Sequence, residues 1–296
     1  MREKGLMKNS VKKPLSARTR GALWGYGFIA IWLIGFFVFT VYPTVYSFII
    51  SLNDVRLTSD GMLFTWRGLY HYRYAISVSG DFKLAITQDL GFIVCATIVV
   101  VVFSLIIALL LNKNFPLRTF FRVVFFLPVV IMSGPVISRL LTGDTADFSG
   151  QATLLYAFLS DMPKVLQTPT LFVLDNLVKI LWFSGVQILI YLAGLQKISP
   201  DIYEAASIDG AGAWEKFWKI TLPHMRSIAL LNAIYTVVEI SNYPSLSVNT
   251  LISRHLFNQT RIYSYSAAMS WLYFVIVAVL LGLVFLVFKL FGRKDA

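Results

Sequence analysis

Ser199-Pro-Asp-Ile-Tyr-Glu-Ala-Ala-Ser-Ile-Asp-Gly-Ala-Gly-Ala-Trp-Glu-Lys-Phe-Trp-Lys-Ile-Thr-Leu-Pro223 is the stretch from which the rest of the chain can be read. It predicts two short helices joined by a turn. Ser199 suits the N-cap, and Pro200 the first helical position, where no backbone donor is needed. Asp201 and Glu204 then lie near the positive end of the helix dipole. Gly210 and Gly212 permit a sharp turn, and Trp214, Phe217 and Trp218 fall on the second helix, which Pro223 is expected to stop. The small residues Ala205, Ala206 and Gly210 let another backbone come close, while the aromatic cluster can fill pockets on a partner. Such an elbow is built for docking and would be wasteful as a mere connector.

Outward from the elbow the chain is apolar in long uninterrupted blocks. Of its 296 residues 57% are hydrophobic and only 14% charged, against roughly 25% charged in a soluble domain. Blocks at about 22–52, 84–111, 117–141, 171–195, 227–246 and 267–291 each approach the ~20 residues that span a bilayer. The first is too long for a signal-peptide core and reads as a retained helix. The third contains Pro128, Gly134 and Pro135 and should be bent or broken. The expected fold is therefore an all-α membrane protein with six transmembrane helices. A basic arm covers residues 1–20, disordered before about Thr19, and a six-span domain covers 21–296. The loop from Asn53 to Lys83 is long enough for a small cap, but too short for a core of its own.

The net charge of +11 does not point to nucleic acid, because no surface domain exists to display a basic groove. Basic residues instead border the apolar blocks. With six spans, about 17 Lys and Arg fall on the side of the termini and about 8 on the other, so both termini and the elbow are expected on the cytoplasmic side. Cys95 stands alone in an apolar block and reads as a small packed hydrophobe. His71, His224 and His255 are scattered, so no metal site is expected. No G-x-x-x-x-G-K-[ST] loop occurs, so ATP is not expected to bind this chain.

The elbow resembles the EAA loop of the inner-membrane permeases of binding-protein-dependent ABC importers. That pattern is E-A-A, three residues, G, nine residues, I, one residue, L-P, and Glu204, Ala205, Ala206, Gly210, Ile220, Leu222 and Pro223 fill every position. Tyr191-Leu-Ala-Gly-Leu-Gln196 and Ile208-Asp-Gly-Ala211 resemble the carbohydrate-uptake, maltose-permease-like type I branch. The resemblance implies a type I importer permease fold in a bacterial inner membrane and a non-catalytic subunit whose elbow is the coupling helix. Glu204 would form a salt bridge to an ATPase, Ala205, Ala206 and Gly210 would supply close approach, and Asp209, Ile220, Leu222 and Pro223 complete the coupling set. It further implies a second, related permease subunit as heterodimer partner, two ATPase subunits that bind the ATP and Mg, an extracytoplasmic solute-binding protein and a carbohydrate substrate. A rival is a type I permease for another solute class, such as amino acids or phosphate. A self-sufficient secondary transporter would instead predict an internal inverted repeat and no docking elbow, and a membrane scaffold would need neither Glu239 nor a broken third span.

Polar groups inside spans are costly and often mark a pathway. Glu239, with Asn242, Tyr243 and Pro244 close behind, is read as lining the central cavity and binding sugar hydroxyls. The alternatives are that Glu239 pairs with a basic group across a permease interface or is protonated. Trp182, Ser184 and Gln187 in the fourth block are further pathway candidates, whereas Asp175 and Lys179, four apart, read as an internal ion pair. Ser133, Gly134 and Pro135 mark an irregular third span, with Arg139 snorkelling near its end. Asn258-Gln-Thr260 is a formal glycosylation pattern without meaning in a bacterial chain.

Overall fold

The computed structural model describes residues 17–58, 61–113, 116, 118–131, 163–257 and 263–292. The expectations placed on the arm before residue 17, on Ser133, Gly134, Pro135 and Arg139, and on the Asn258–Thr260 pattern lie outside the described residues.

The first block is one long helical rod: α1 (Ala17–Phe36), a π-helical turn (Phe37–Val41) and α2 (Tyr42–Leu52). A β-hairpin follows, β1 (Asn53–Thr58) antiparallel to β2 (Gly61–Trp66), with Val55 opposite Phe64. Then come α3 (Tyr70–Arg73), a π turn (Tyr74–Val78), α4 (Gly80–Asn112), α5 (Arg118–Ile131), α6 (Lys164–Asp175) and α7 (Leu177–Leu195). The elbow contributes α8 (Pro200–Ile208), α9 (Ala213–Lys216) and a π turn (Phe217–Thr221). It leads into α10 (Leu222–Ser241), α11 (Ser247–Leu256) and α12 (Tyr263–Gly292). The hairpin corrects the all-α expectation. Its polar, turn-rich sequence lies between apolar blocks, and its pairing is anchored by Ser264 of α12, whose Oγ accepts the Val55 N–H at 2.9 Å.

Among the described residues four helical stretches are long and apolar enough to cross a membrane: Gly25–Leu52, Gly80–Asn112, Leu177–Leu195 and Tyr263–Leu290. With 20 residues α10 is also ~30 Å long, but Arg226, Asn232 and Glu239 dilute its apolar character. Of the third block, α5 covers the described part and runs through Pro128 to Ile131. The fourth block divides at Asn176, where α6 gives way to α7. The fifth block's helix, α10, ends at Ser241 rather than near 246, so Pro244 lies beyond it, and a separate helix, α11, follows.

The core is built around α4, against which α7, α10 and α11 pack. Ile93, Ala96 and Val100 of α4 meet Phe183 of α7 with Val237 and Ile240 of α10. Nearer the elbow, Leu111, Ile188, Tyr191 and Met225 form a second cluster. Gly194 permits the closest approach of α7 and α10 there, since a Cβ would lie 2.1 Å from Ile228 Cδ1 and 3.0 Å from Met225 Cε. By contrast α12 turns much of its surface outward, including Val279, Leu283 and Leu286, as a lipid-facing helix does. Cys95 also lies on an exposed face of α4, so it meets the surrounding medium rather than the core.

Two π turns share one cause. Each precedes a proline by two residues: Phe37–Val41 before Pro43, and Phe217–Thr221 before Pro223. A proline lacks its N–H, and its ring crowds the carbonyl four residues back. Widening the turn, with Tyr42 N–H reaching Phe37 O and Leu222 N–H reaching Phe217 O, carries the helix past that carbonyl. Pro223 therefore does not stop the second elbow helix as expected. It sits in the first turn of α10, and helical backbone continues from Ala213 to Ser241.

Candidate functional site

Three features carry the chemistry. The first is a polar seam between α7 and α10. Gln187, Asn232 and Thr236 are fully buried, and Glu239 lies at their edge, half-buried. Gln187 Nε2 donates to Glu239 Oε2 at 2.8 Å and to Thr236 Oγ1 at 3.0 Å, while Asn232 Nδ2 donates to the Gln187 carbonyl at 3.2 Å. The spacing of Asn232, Thr236 and Glu239 by four and three places them on one helical face. One carboxylate oxygen of Glu239 is thus fastened by Gln187, and among the described residues no lysine or arginine pairs with the group.

The second feature is a cavity of about 650 Å3 between α10, α11 and α12, lined by Ser241, Asn242, Asn249, Ser253 and Tyr273 among others. Its shape depends on the break after Ser241. The carbonyls released there are taken up by α11 and α12: Asn249 Nδ2 donates to Ser241 O at 2.9 Å and Tyr243 O at 2.8 Å, and Tyr273 Oη donates to Ser241 O at 2.9 Å. Asp89, buried in α4, fixes the start of α11 by accepting the Ser247 N–H at 3.2 Å and the Val248 N–H at 2.7 Å. A carboxylate at a helix N-terminus satisfies donors that have no intrahelical partner and opposes the helix dipole. On the far side of α11 a polar recess of about 460 Å3 holds Asp81, Gln88 and Arg254.

The elbow is the third. Ser199 Oγ accepts the Asp201 N–H at 3.3 Å at the head of α8. At its tail Gly210 adopts φ +81°, Gly210 N–H reaches Ser207 O at 3.1 Å, and Ala211 N–H reaches Ala206 O at 2.9 Å. This paired closure needs a residue without a Cβ four positions after Ala206, which is a physical reason for the spacing of Ala206 and Gly210. Gly212 has ordinary extended backbone and caps the start of α9, with Glu215 accepting its N–H at 3.3 Å. Tyr203 Oη meets Thr221 Oγ1 at 2.9 Å and Lys216 Nζ donates to Ser207 Oγ, clamping α8 to the following helix. Glu204, Ala205, Ile208 and Asp209 remain exposed on the outer side, and the rings of Trp214, Phe217 and Trp218 form a tilted and edge-on cluster in the next helix.

Residues 101–294 match the family model described as the binding-protein-dependent transport system inner membrane component. The chain belongs to this family. Among its relatives, the probable ABC transporter permease protein YesP of Bacillus subtilis (strain 168) is 28% identical over 294 residues, 94% of either chain. The multiple sugar-binding transport system permease protein MsmF of Streptococcus mutans is 29% identical over 278 residues, 86% of this chain and 92% of its own. A chain of the bacterial alginate ABC transporter, solved in complex with an alginate pentasaccharide-bound periplasmic protein, superposes with a TM-score of 0.66 at 19% identity. The match covers 90% of this chain and 94% of that one. The permease subunits of these transporters are non-catalytic membrane components, and so is this chain.

Within this permease the residues singled out from the sequence separate into groups. Gln187 and Glu239 are brought together, whereas Asn242 faces the neighbouring cavity. Tyr243 is buried with its ring edge-on to Phe183 at 5.5 Å, so it belongs to the core rather than to a cavity wall. Trp182 is half-buried against that same core. Of the elbow set, Ala206 is half-buried toward the body, Ile220 packs on the lower core cluster, and Leu222 and Pro223 line a groove against α12. Lys179 donates to Asn176 Oδ1 at 3.2 Å and sits over the Phe92 ring at 5.3 Å, one turn beyond Asp175, which ends α6. Asp89, Asn232, Thr236 and Asn249 escaped the sequence reading. Asp89 carried the same signal as Glu239, a carboxylate inside an apolar block.

Proposed function

We propose that this chain is the sugar- or oligosaccharide-specific permease subunit of an ATP-driven importer in a bacterial plasma membrane. Six crossings, both termini and the elbow on the cytoplasmic side, and alternation between inward- and outward-open states belong to that reading. The observation that carries it is the elbow itself. A capped nine-residue helix closed by left-handed Gly210 holds Glu204, Ala205 and Asp209 outward, while Tyr203 and Lys216 bind it to its own stem. An exposed, rigidly clamped helix beside a tryptophan cluster fits a cleft on a separate ATPase, with Glu204 available for a basic partner. The ATP and Mg then reside on two copies of that ATPase, and a second, related permease completes the pathway. An extracytoplasmic binding protein delivers solute.

The naming of MsmF for multiple sugars and the alginate complex of the structural neighbour support a carbohydrate cargo. Within the pathway, Glu239 and Asn242 supply acceptors and donors for sugar hydroxyls, with Gln187 holding the carboxylate in place. Trp182 and Tyr243 support this wall from the core side rather than touching solute. Cysteines introduced at Ala205 or Glu204 in the assembled complex should crosslink to the ATPase. Failure of every such position to capture it, or solute pumping by the purified chain alone, overturns the assignment.

A further inference from the structure

A groove of about 500 Å3 runs between the base of α10 and the end of α12, on the elbow's side of the membrane. One wall is a single stripe of the elbow stem and α10, formed by Trp218, Leu222, Arg226 and Ala229 at spacings of four, four and three. The other wall is Val287 and Phe288 of α12. Thus the groove is apolar along most of its length, with an indole at its rim and a guanidinium about two turns further in. Its level in the bilayer follows from the flanking residues. Trp218 is a ring of the kind that gathers at the headgroup boundary, and Lys289, exposed just beyond Phe288, marks the same level on α12. The outward surface of α12 is apolar, so hydrocarbon reaches the groove from its open side.

We propose that this groove binds one anionic glycerophospholipid, its phosphate at Arg226 and an acyl chain along Ala229 and Val287. Charge complementarity selects that occupant. The elbow stem and the first turns of α10 carry Lys216, Lys219 and Arg226 against the single acid Glu215, which is paired with Lys219 at 3.5 Å. A guanidinium offers five donors in a fork that fits a phosphate with two bonds at once, so it can serve the lipid alongside a protein neighbour. Basic recesses between membrane helices recognise anionic headgroups through this combination. Because the groove joins the elbow stem to α12, a lipid seated there would brace the stem against the outer helix.

The test uses the assembled transporter in nanodiscs of equal parts phosphatidylcholine and phosphatidylglycerol, with retained lipids counted by native mass spectrometry. Wild-type complex should keep a phosphatidylglycerol on this subunit in preference to phosphatidylcholine. Arg226→Gln should reduce that preference roughly fivefold, the effect of about one basic residue near a charged surface. Ala229→Phe, which obstructs the acyl path and leaves the charge, should lower retention of both lipids and keeps the test decisive if Arg226→Gln fails to assemble. Unchanged lipid preference in Arg226→Gln together with unchanged retention in Ala229→Phe overturns the proposal. So does a crosslink from a cysteine at Ala229 to the second permease, which would show the groove filled by protein.

Discussion

Replacing Asp89 by alanine should free α11 from α4. The carboxylate is buried, and its two oxygens accept the first two N–H groups of α11 at 3.2 and 2.7 Å. Hydrogen bonds to a charged group contribute about 1.5–3 kcal/mol each, and an orphaned buried donor costs about 1–3 kcal/mol. Interhelical bonds within membranes average lower, about 0.6 kcal/mol, because the separated helices find other partners. The N–H groups of Ser247 and Val248 are poorly placed to do so, since α11 begins after a short non-helical turn beside the core. A loss near 3 kcal/mol is therefore expected for Asp89→Ala, and about half of it for Asp89→Asn, which keeps one acceptor. Thermal unfolding of the assembled complex would report the stability loss, and hydrogen exchange would localise it to residues 247–256. Because α11 forms a wall of both the 650 Å3 cavity and the 460 Å3 recess, transport should fall in the same order. An alanine variant within about 0.5 kcal/mol of wild type, or increased exchange spread evenly over the chain, would refute the tether.

Other perturbations follow from the same structure. Glu239→Gln and Gln187→Leu should each cut uptake at least roughly tenfold, equivalent to about 1.4 kcal/mol, while the complex still assembles on a sizing column; undiminished uptake in both removes the seam from the pathway. Gly210→Val must force a branched side chain to φ +81°, at about 1–2 kcal/mol, and should lower the coupling of ATP hydrolysis to transport while leaving permease insertion intact. At Gly194 alanine displaces only the tips of Ile228 and Met225 and should cost under about 1 kcal/mol. Leucine there should cost about 1–3 kcal/mol, read by unfolding temperature. His71, the buried residue of α3, has its pKa lowered from 6.5 chiefly by burial, with Asp54 opposing and Arg67 reinforcing the shift. The neutral ring is favoured in the folded cap, so its contribution is complete above 6.5 and is lost as pH falls toward the lower folded value. His71→Phe should flatten the dependence of unfolding temperature on pH between about 7.5 and 5.5.

The elbow was the most legible part of the sequence because its determinants are local. An N-cap serine, a proline at the first helical position and a left-handed glycine act within a few residues of themselves, and the structure has all three in those roles. Pro223 was misread for a reason equally local. A proline rule written for regular helices did not allow for a π turn that moves the obstructing carbonyl aside, and Pro43 repeats the arrangement. The hairpin and α11 were missed because they depend on distant partners. Ser264 lies 209 residues from Val55, and Asp89 lies 159 from Val248. Nothing in the residues around 247 announces a helix start when its cap is supplied by another helix. For Tyr243 the sequence offered a ligand contact beside Glu239, and the structure places its ring edge-on to Phe183 in the packing between α7 and α10.

The unbroken helical backbone from Ala213 to Ser241 links the two ends of the proposed mechanism. Leu222 and Glu239 lie 17 residues apart on one rod, about 26 Å along its axis, and no loop intervenes to absorb a displacement. Tyr203 and Lys216 fasten α8 to the foot of that rod, Gln187 fastens its upper half to α7, and Asn249 and Tyr273 hold its end. The π turn at Phe217–Thr221 is the one place along the described rod where the regular hydrogen-bond ladder is widened. Motion imposed on Glu204 and Ala205 must then either tilt α10 as a body or flex at that turn. A tilting rod shifts Glu239 and Asn242 together, whereas flexing at the turn leaves both in place. Only the first outcome lets nucleotide-driven movement at the elbow change what the cavity presents to solute.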